Sequence, residues 1–200
     1  MEIILDNIGK RYASGWIFRD LSMNINSGDR VAIRGLNGSG KSTLLKILCG
    51  YLSPSMGTLE YHLNSELISR DDIYKNIGII AAYTEMDEEL NPLELFNHYK
   101  KFKPYLIENE TDFLKIADLE KEKNKAIKDF SSGMKQRLNI ALGVLLDLPL
   151  LLLDEPSSFL DKGRKKWLGD IINEFTASKT VITASNEEDD LINCNRDINL

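Results

Sequence analysis

Residues 35–43, Gly35-Leu36-Asn37-Gly38-Ser39-Gly40-Lys41-Ser42-Thr43, have the types and spacing of a loop that cradles phosphate groups. Its glycines let successive backbone N–H groups turn inward and form a concave anion site. A helix opening near Lys41 aims its positive dipole end at the same point. Lys41 is expected to reach the β- and γ-phosphates of a nucleotide, and the Ser42 hydroxyl to ligate Mg²⁺. The plain alternative is a glycine-rich turn without a ligand. Context disfavours it, because a strand-like run precedes the loop and a helical pattern follows.

A second constellation lies far downstream. The apolar run 150–153 delivers Asp154 and Glu155 to the end of a buried strand, where ligands sit in open α/β sheets. Asp154 suits holding Mg²⁺ through a water, and Glu155 suits polarising an attacking water. Neighbouring side chains on a strand point to opposite faces, so a division of labour between the two is plausible. Alone, such a pair is merely a strand end. Paired with the upstream loop it is a candidate catalytic centre.

The elements that must position these residues follow from hydrophobic periodicity. Residues 3–8 and 17–25 read as a strand pair around a Ser14-Gly15 turn, and 30–34 as a short strand feeding the loop. Residues 42–49 have the apolar spacing of a helix, ended by Gly50 and a Ser53-Pro54 turn. Segments 57–61 and 77–82 are further strands. Asn91-Pro92 is a helix start, with Asn as cap and Pro in the first turn. From there to Leu146 the pattern is helical and charge-rich. Residues 150–153 form a continuous apolar run typical of a central strand, 162–175 a helix, 180–184 a strand and 197–200 a further short one.

The expected class is therefore α/β: a mostly parallel sheet core of the P-loop NTPase type, with an N-terminal antiparallel β subdomain and an inserted helical subdomain. One domain is expected over 1–200, with 1–82 and 147–200 forming the sheet core and 83–146 the helical insertion. The charged stretch 118–125 reads as a solvated helix or turn face.

Composition narrows the function classes. The 200 residues are 42% hydrophobic and 28% charged, ordinary for a globular domain. A net charge of −6 argues against a nucleic-acid binder, which needs a basic surface. Cys49 and Cys194 lie far apart without metal-ligand spacing and read as incidental thiols. Residues 1–5 lack a basic region followed by an apolar stretch, so no signal peptide is expected. The greasiest segment, 140–153, is interrupted by Asp147 and Pro149 and falls short of the roughly 20 residues that span a bilayer. A soluble protein without direct membrane insertion is expected.

Between the two motifs stands Phe130-Ser131-Ser132-Gly133-Met134-Lys135-Gln136-Arg137, and after the acidic pair Pro156-Ser157-Ser158-Phe159-Leu160-Asp161. This ordered set resembles the ATP-binding-cassette (ABC) transporter ATPases over essentially the whole chain. The resemblance implies an ATPase that binds ATP and Mg²⁺, lies on the cytoplasmic face of the cell membrane, and drives separate transmembrane permease subunits through 83–103. It implies a head-to-tail dimer, a homodimer by expectation, in which Ser131, Ser132, Gly133 and Met134 of one copy cap the γ-phosphate held by 35–43 of the other. Tyr12 stands where the family stacks an aromatic ring on adenine, with Trp16 as the nearby competitor. Stripped of the resemblance, 131–137 would read as a capped helix exposing Lys135, Gln136 and Arg137.

Two departures from the family pattern bear on catalysis. Where the family carries a glutamine after the strand at 77–82, this chain reads Ala82-Tyr83-Thr84-Glu85, leaving Glu85 as the group that could approach the metal or its water. Where the family carries a histidine after 180–184, Asn186 stands. Asparagine can hydrogen-bond a phosphate but cannot become cationic or relay a proton as imidazole does. His62 and His98 lie outside the motif positions. Slow hydrolysis is expected. A non-catalytic or weakly catalytic ATP-binding module, closing on ATP as a regulatory partner, is the competing reading.

Overall fold

The computed structural model describes residues 1–82, 84–191 and 193–200. Tyr83, the expected first residue of the helical insertion, lies outside the described residues. Two sheets organise the chain. Strands β1 (Glu2–Tyr12), β2 (Gly15–Ile25), β4 (Met56–Leu63) and β5 (Glu66–Ile68) form an antiparallel sheet in the order β2-β1-β4-β5. Strands β3 (Arg30–Arg34), β6 (Ile77–Ala81), β7 (Leu150–Asp154), β8 (Thr180–Ala184) and β9 (Arg196–Asn199) form a parallel sheet in the order β6-β7-β8-β3-β9. The order matters for function: β3, which feeds the glycine loop, pairs with β8, which in turn pairs with β7. The chain segments that follow these three strands therefore emerge side by side.

β7 shows why an unbroken leucine run specifies a central strand. Leu150 and Leu152 pack into one cluster with β1, β3 and helix α1 (Lys41–Leu48), while Leu151 and Leu153 pack on the opposite face against Ile140, Leu168 and Ile172. Burying each such side chain contributes about 2 kcal/mol. A charged substitution at any of the four would remove the platform under Asp154.

Helices α2 (Pro92–Lys100), α3 (Glu110–Ala117) and α4 (Ser132–Val144) gather around a third cluster, with the Phe96 and Phe113 rings stacked 4.2 Å apart. The α2 start follows the sequence pattern closely: Asn91 Oδ1 accepts from the Leu93 and Glu94 amides, and Glu94 accepts from the Asn91 amide. At its far end α4 is closed by Lys179, whose buried ammonium donates to the Val144 and Leu146 carbonyls, each at 2.6 Å. Burial holds that lysine down, to about 8.

Helix α5 (Lys162–Phe175) matches its expected bounds, with Asp161 as cap accepting from the Arg164 amide at 2.9 Å. The stretch 118–125 is the solvated turn expected of it at Glu120, Lys121, Lys123 and Asn124, which are exposed, and departs from that at its first two residues. Leu119 is buried, and Asp118 closes α3 in a left-handed conformation (φ 52°). Its carboxylate then meets both Arg137 of α4 and Arg164 of α5, joining the three helices. The sequence pattern counts charges there, but the pairing depends on side chains 19 and more residues away. Among the described residues no helix is long and apolar enough to cross a membrane.

Candidate active site

The loop 35–43 bridges β3 and α1, and its three glycines are required for different reasons. Gly35 (φ 153°) stands so close to Ser39 Oγ and the Leu200 carbonyl that an added Cβ would lie 2.4 and 2.8 Å from them. At Gly40 (φ 107°) a Cβ would lie 2.4 Å from Ile17 of β2, so the antiparallel sheet presses directly on the base of the loop. Gly38 (φ 84°) borders open space. Side-chain oxygens of Asn91, Asn109, Ser131 and Asp161 cap the four other α-helices, whereas α1 begins at Gly40 with no side-chain cap. Its leading amides are thus left for an external acceptor. The Ser39 hydroxyl, buried without a protein partner, sits in the same loop.

Lys41 is 94% buried, a costly place for an ammonium unless it is fully hydrogen-bonded. It donates to the carbonyl oxygens of Gly35 (2.9 Å) and Leu36 (3.3 Å) and to Asn186 Oδ1 (2.9 Å). Asn186 Nδ2 in turn donates to Asn37 Oδ1. Next along α1, the Ser42 hydroxyl bonds the Asp154 carboxylate at the end of β7. Burial pushes Asp154 above the usual carboxylate range, opposed by Ser42 and by the charges of Lys46 and Lys41. An added cation would relieve that desolvation.

Glu155 lies just past the strand in a left-handed conformation (φ 46°), its amide donating to the Ala184 carbonyl of β8 at 2.8 Å. A non-glycine residue held there is strained. Glu155 lines a cavity of about 340 Å³ with Asn37, Ser157, Lys165, Ser185 and Asn186. The strand order thus brings together Asn37, Lys41, Ser42, Asp154, Glu155 and Asn186 from three separate parts of the chain.

Other expected site residues lie elsewhere. Ser132 and Glu85 line a different cavity, of about 510 Å³, which shares Phe159 with the first. Glu85 is exposed there. Ser131 Oγ accepts from the Met134 amide at 3.3 Å and caps α4, which opens at Ser132. Gly133 sits under the Phe159 carbonyl, where a Cβ would come within 3.2 Å. Tyr12 and Trp16 are both half-exposed at the β1–β2 turn, each beside a cation, Lys10 and Arg11 respectively.

Several supporting residues escape sequence reasoning. Gln136 is buried and donates to the Pro156 carbonyl at 2.7 Å, and Asn139 donates to the Ala81 carbonyl at 2.7 Å. With Arg137 partly buried against Asp118, the exposed triplet 135–137 of the plain helical reading does not occur. The signal available was a pair of polar residues three apart on a helix face that continues to Gly143. Asp190, buried, accepts from Ser185 Oγ at 2.5 Å and bonds Ser157, tying the loop after β8 to the loop after β7.

Asp154 and the Ser42 hydroxyl make a sparse cation site, and no group of three His, Cys, Asp or Glu side chains able to hold a metal occurs among the described residues. One carboxylate and one hydroxyl suit Mg²⁺, which keeps several waters and arrives with phosphate oxygens. The residues fit that ion.

A family model described as ABC transporter matches residues 18–158. An ergothioneine transport ATP-binding protein of Helicobacter pylori is 30% identical over 195 residues, spanning 94% of this chain and 91% of its own. A Nod factor export ATP-binding protein of Rhizobium johnstonii is 31% identical over 185 residues, and the match spans 90% of this chain and 60% of that protein. A sulfate/thiosulfate import ATP-binding protein of Halalkalibacterium halodurans is 26% identical, and the match spans 56% of its length. Among solved structures, a dimeric bacterial ABC transporter cassette superposes with a TM-score of 0.83 at 26% identity, covering 99% of this chain and 94% of that one. A cassette dimer in a post-hydrolysis state bound to ADP and Pi gives a TM-score of 0.84 at 25% identity, with the same coverage.

Proposed function

Given that the chain belongs to the ABC transporter family, as an ATP-binding subunit with the family's ATPase character, we propose how its own residues do the work. The loop 35–43 holds the phosphates of ATP, with Lys41 on the β- and γ-phosphates. Ser42 and Asp154 hold Mg²⁺, which supplies neutralisation of phosphate charge when bound. Glu155 orients the attacking water and draws off its proton. As the water oxygen bonds to the γ-phosphorus, the bond to the bridging β–γ oxygen breaks and ADP leaves with those electrons. Asn186 donates a hydrogen bond to the γ-phosphate but carries no proton across, so turnover is slow compared with a histidine-bearing site. The observation that carries this reading is the convergence of Lys41, Asn186 and Asn37 beside the Ser42–Asp154 pair.

The second half of the site comes from another copy. Ser132, in the first turn of α4 just after its Ser131 cap and followed by Gly133 and Met134, lines the cavity that shares Phe159 with the Glu155 cavity, and a helix start with serine hydroxyls favours an anion. Two copies facing head to tail would bring these groups to each other's γ-phosphate. Tyr12 stacks on the adenine, and Glu85 approaches the metal only once the dimer closes. The segment 83–146 moves as a unit in that closure, carried by its separate apolar cluster.

A permease subunit docks on the same side as β6. Ile79 of this edge strand joins a cavity of about 220 Å³, lined also by Tyr99 and Lys103, to another of about 590 Å³, lined by Tyr51 and Tyr74. Docked in this way, the chain would lie peripherally on the cytoplasmic face of the membrane.

The composite site is tested with Ser132→Asp. Aspartate at an exposed first-turn position suits the helix, so the fold should hold. ATP affinity of the isolated chain should be unchanged, while turnover falls by at least about tenfold through repulsion of the partner's γ-phosphate. Unaltered turnover would sink the shared-site reading. The weakly catalytic reading draws on Asn186, and would be favoured by tight ATP binding with no turnover in any variant.

A further inference from the structure

Glu155 opens a turn that its own bonds do not hold. Two non-glycine residues in that turn, Glu155 (φ 46°) and Phe159 (φ 66°), adopt the left-handed conformation. Residues in that region persist only where the surroundings over-determine them. Inside the turn, the Ser158 amide donates to the Glu155 carbonyl at 3.1 Å and the Leu160 amide to the Ser157 carbonyl at 3.0 Å. From outside, the Glu155 amide reaches the Ala184 carbonyl of β8, which fixes where the turn begins. Its middle residue, Ser157, is buried and meets the Asp190 carboxylate through its hydroxyl and its backbone amide. Asp190 ends a run of acids, 187–190, and is the one among them that is buried. It also accepts from Ser185 Oγ at 2.5 Å, and that hydroxyl accepts from the Glu187 amide at 3.0 Å. The residues on both sides of Asn186 are thus bound to one oxygen. Burial pushes the Asp190 carboxyl up, opposed by Ser185, Ser157 and the charge of Lys165.

We propose that Asp190 is a positioning residue for hydrolysis, which holds Glu155 in its working place by gripping Ser157 in the loop after β7 and Ser185 in the loop after β8. The inference rests on the reading of Glu155 as the group that draws a proton from water. The backbone bond to Ala184 secures only the root of the turn. Its middle is secured by the carboxylate, whose two oxygens can accept from both loops at once. Without that grip the strained turn relaxes, and the Glu155 side chain leaves the geometry that proton transfer requires. Asp190 acts through Glu155, so its removal should affect the chemical step and spare the affinity that 35–43 supplies.

Single-turnover phosphate release and MgATP affinity, measured on the intact chain, test this in Asp190→Ala and Asp190→Asn, each alone and combined with Glu155→Gln. Asp190→Ala should slow release about tenfold or more, the scale of a misplaced catalytic group, with affinity within about threefold of wild type. Asp190→Asn has the same shape but one acceptor oxygen, so it can hold one loop and not both, and should slow release severalfold. That near-isosteric change carries the test if the alanine variant does not fold. In the Glu155→Gln chain neither substitution should slow release further, because no base is left to position. A merely structural role would weaken MgATP binding in step with release, or slow the Glu155→Gln chain by the same factor again. Either result refutes the positioning role, as does unchanged release in Asp190→Ala. If Glu155→Gln itself releases phosphate within tenfold of wild type, the reading of Glu155 falls first and the role of Asp190 falls with it.

Discussion

Replacing Lys41 with alanine should weaken MgATP binding by about a hundredfold, with no loss of secondary structure. The size follows from where the ammonium sits. It is buried and held by carbonyl oxygens of the loop, so its cost of burial is met largely by the protein itself. Two of its protons are held by the Gly35 and Leu36 carbonyls, so one charge-assisted hydrogen bond to phosphate is gained, worth roughly 1.5–3 kcal/mol. Helix α1 survives the change because its other buried residues, Leu44, Leu45, Ile47 and Leu48, anchor it to the sheet. Fluorescence titration with a nucleotide analogue reads the loss, and circular dichroism checks the fold. Affinity within about threefold of wild type would remove Lys41 from the site.

Glu155→Gln should leave ATP affinity intact and lower turnover by at least about a hundredfold, the usual scale of general acid–base assistance. The substitution keeps shape and hydrogen-bonding capacity, so the strained left-handed turn and the amide bond to Ala184 remain. What disappears is the carboxylate that can draw a proton from water. The effect should be larger here than a structural change would give, because Asn186 offers no imidazole to share the task. Single-turnover measurement of phosphate release separates chemistry from binding. Turnover within tenfold of wild type would mean that another base acts, with Glu85 as the group to examine next.

Much of this arrangement is readable in the chain because its signals are local. The glycine spacing of 35–43, the unbroken leucines before Asp154 and the Asn91-Pro92-x-Glu94 helix start each report their own geometry within a few residues. The α5 bounds came out of periodicity for the same reason. Long-range pairings have no such signature. Asp118 looks like one charge among many in 118–125, yet it joins three helices through Arg137 and Arg164. Gln136 reads as part of an exposed helix face, but it and Asn139 fix α4 to the ends of β7 and β6 through backbone carbonyls. Asn186 stands in the sequence where the family carries a histidine. Its bond to Lys41 was not legible there, since that depends on β8 lying next to β3 in the sheet. The short strand β5 escaped because three residues carry too little alternation to stand out.

Turnover per chain, measured with MgATP across a range of protein concentrations, tests the central claim most directly. A site completed by the serine-capped end of α4 from a second copy requires activity per chain to rise steeply with concentration and then level off as dimers saturate. Activity that is independent of concentration would contradict a shared site. Tight ATP binding with no turnover at any concentration would contradict the ATPase itself and leave an ATP-binding module that closes without chemistry.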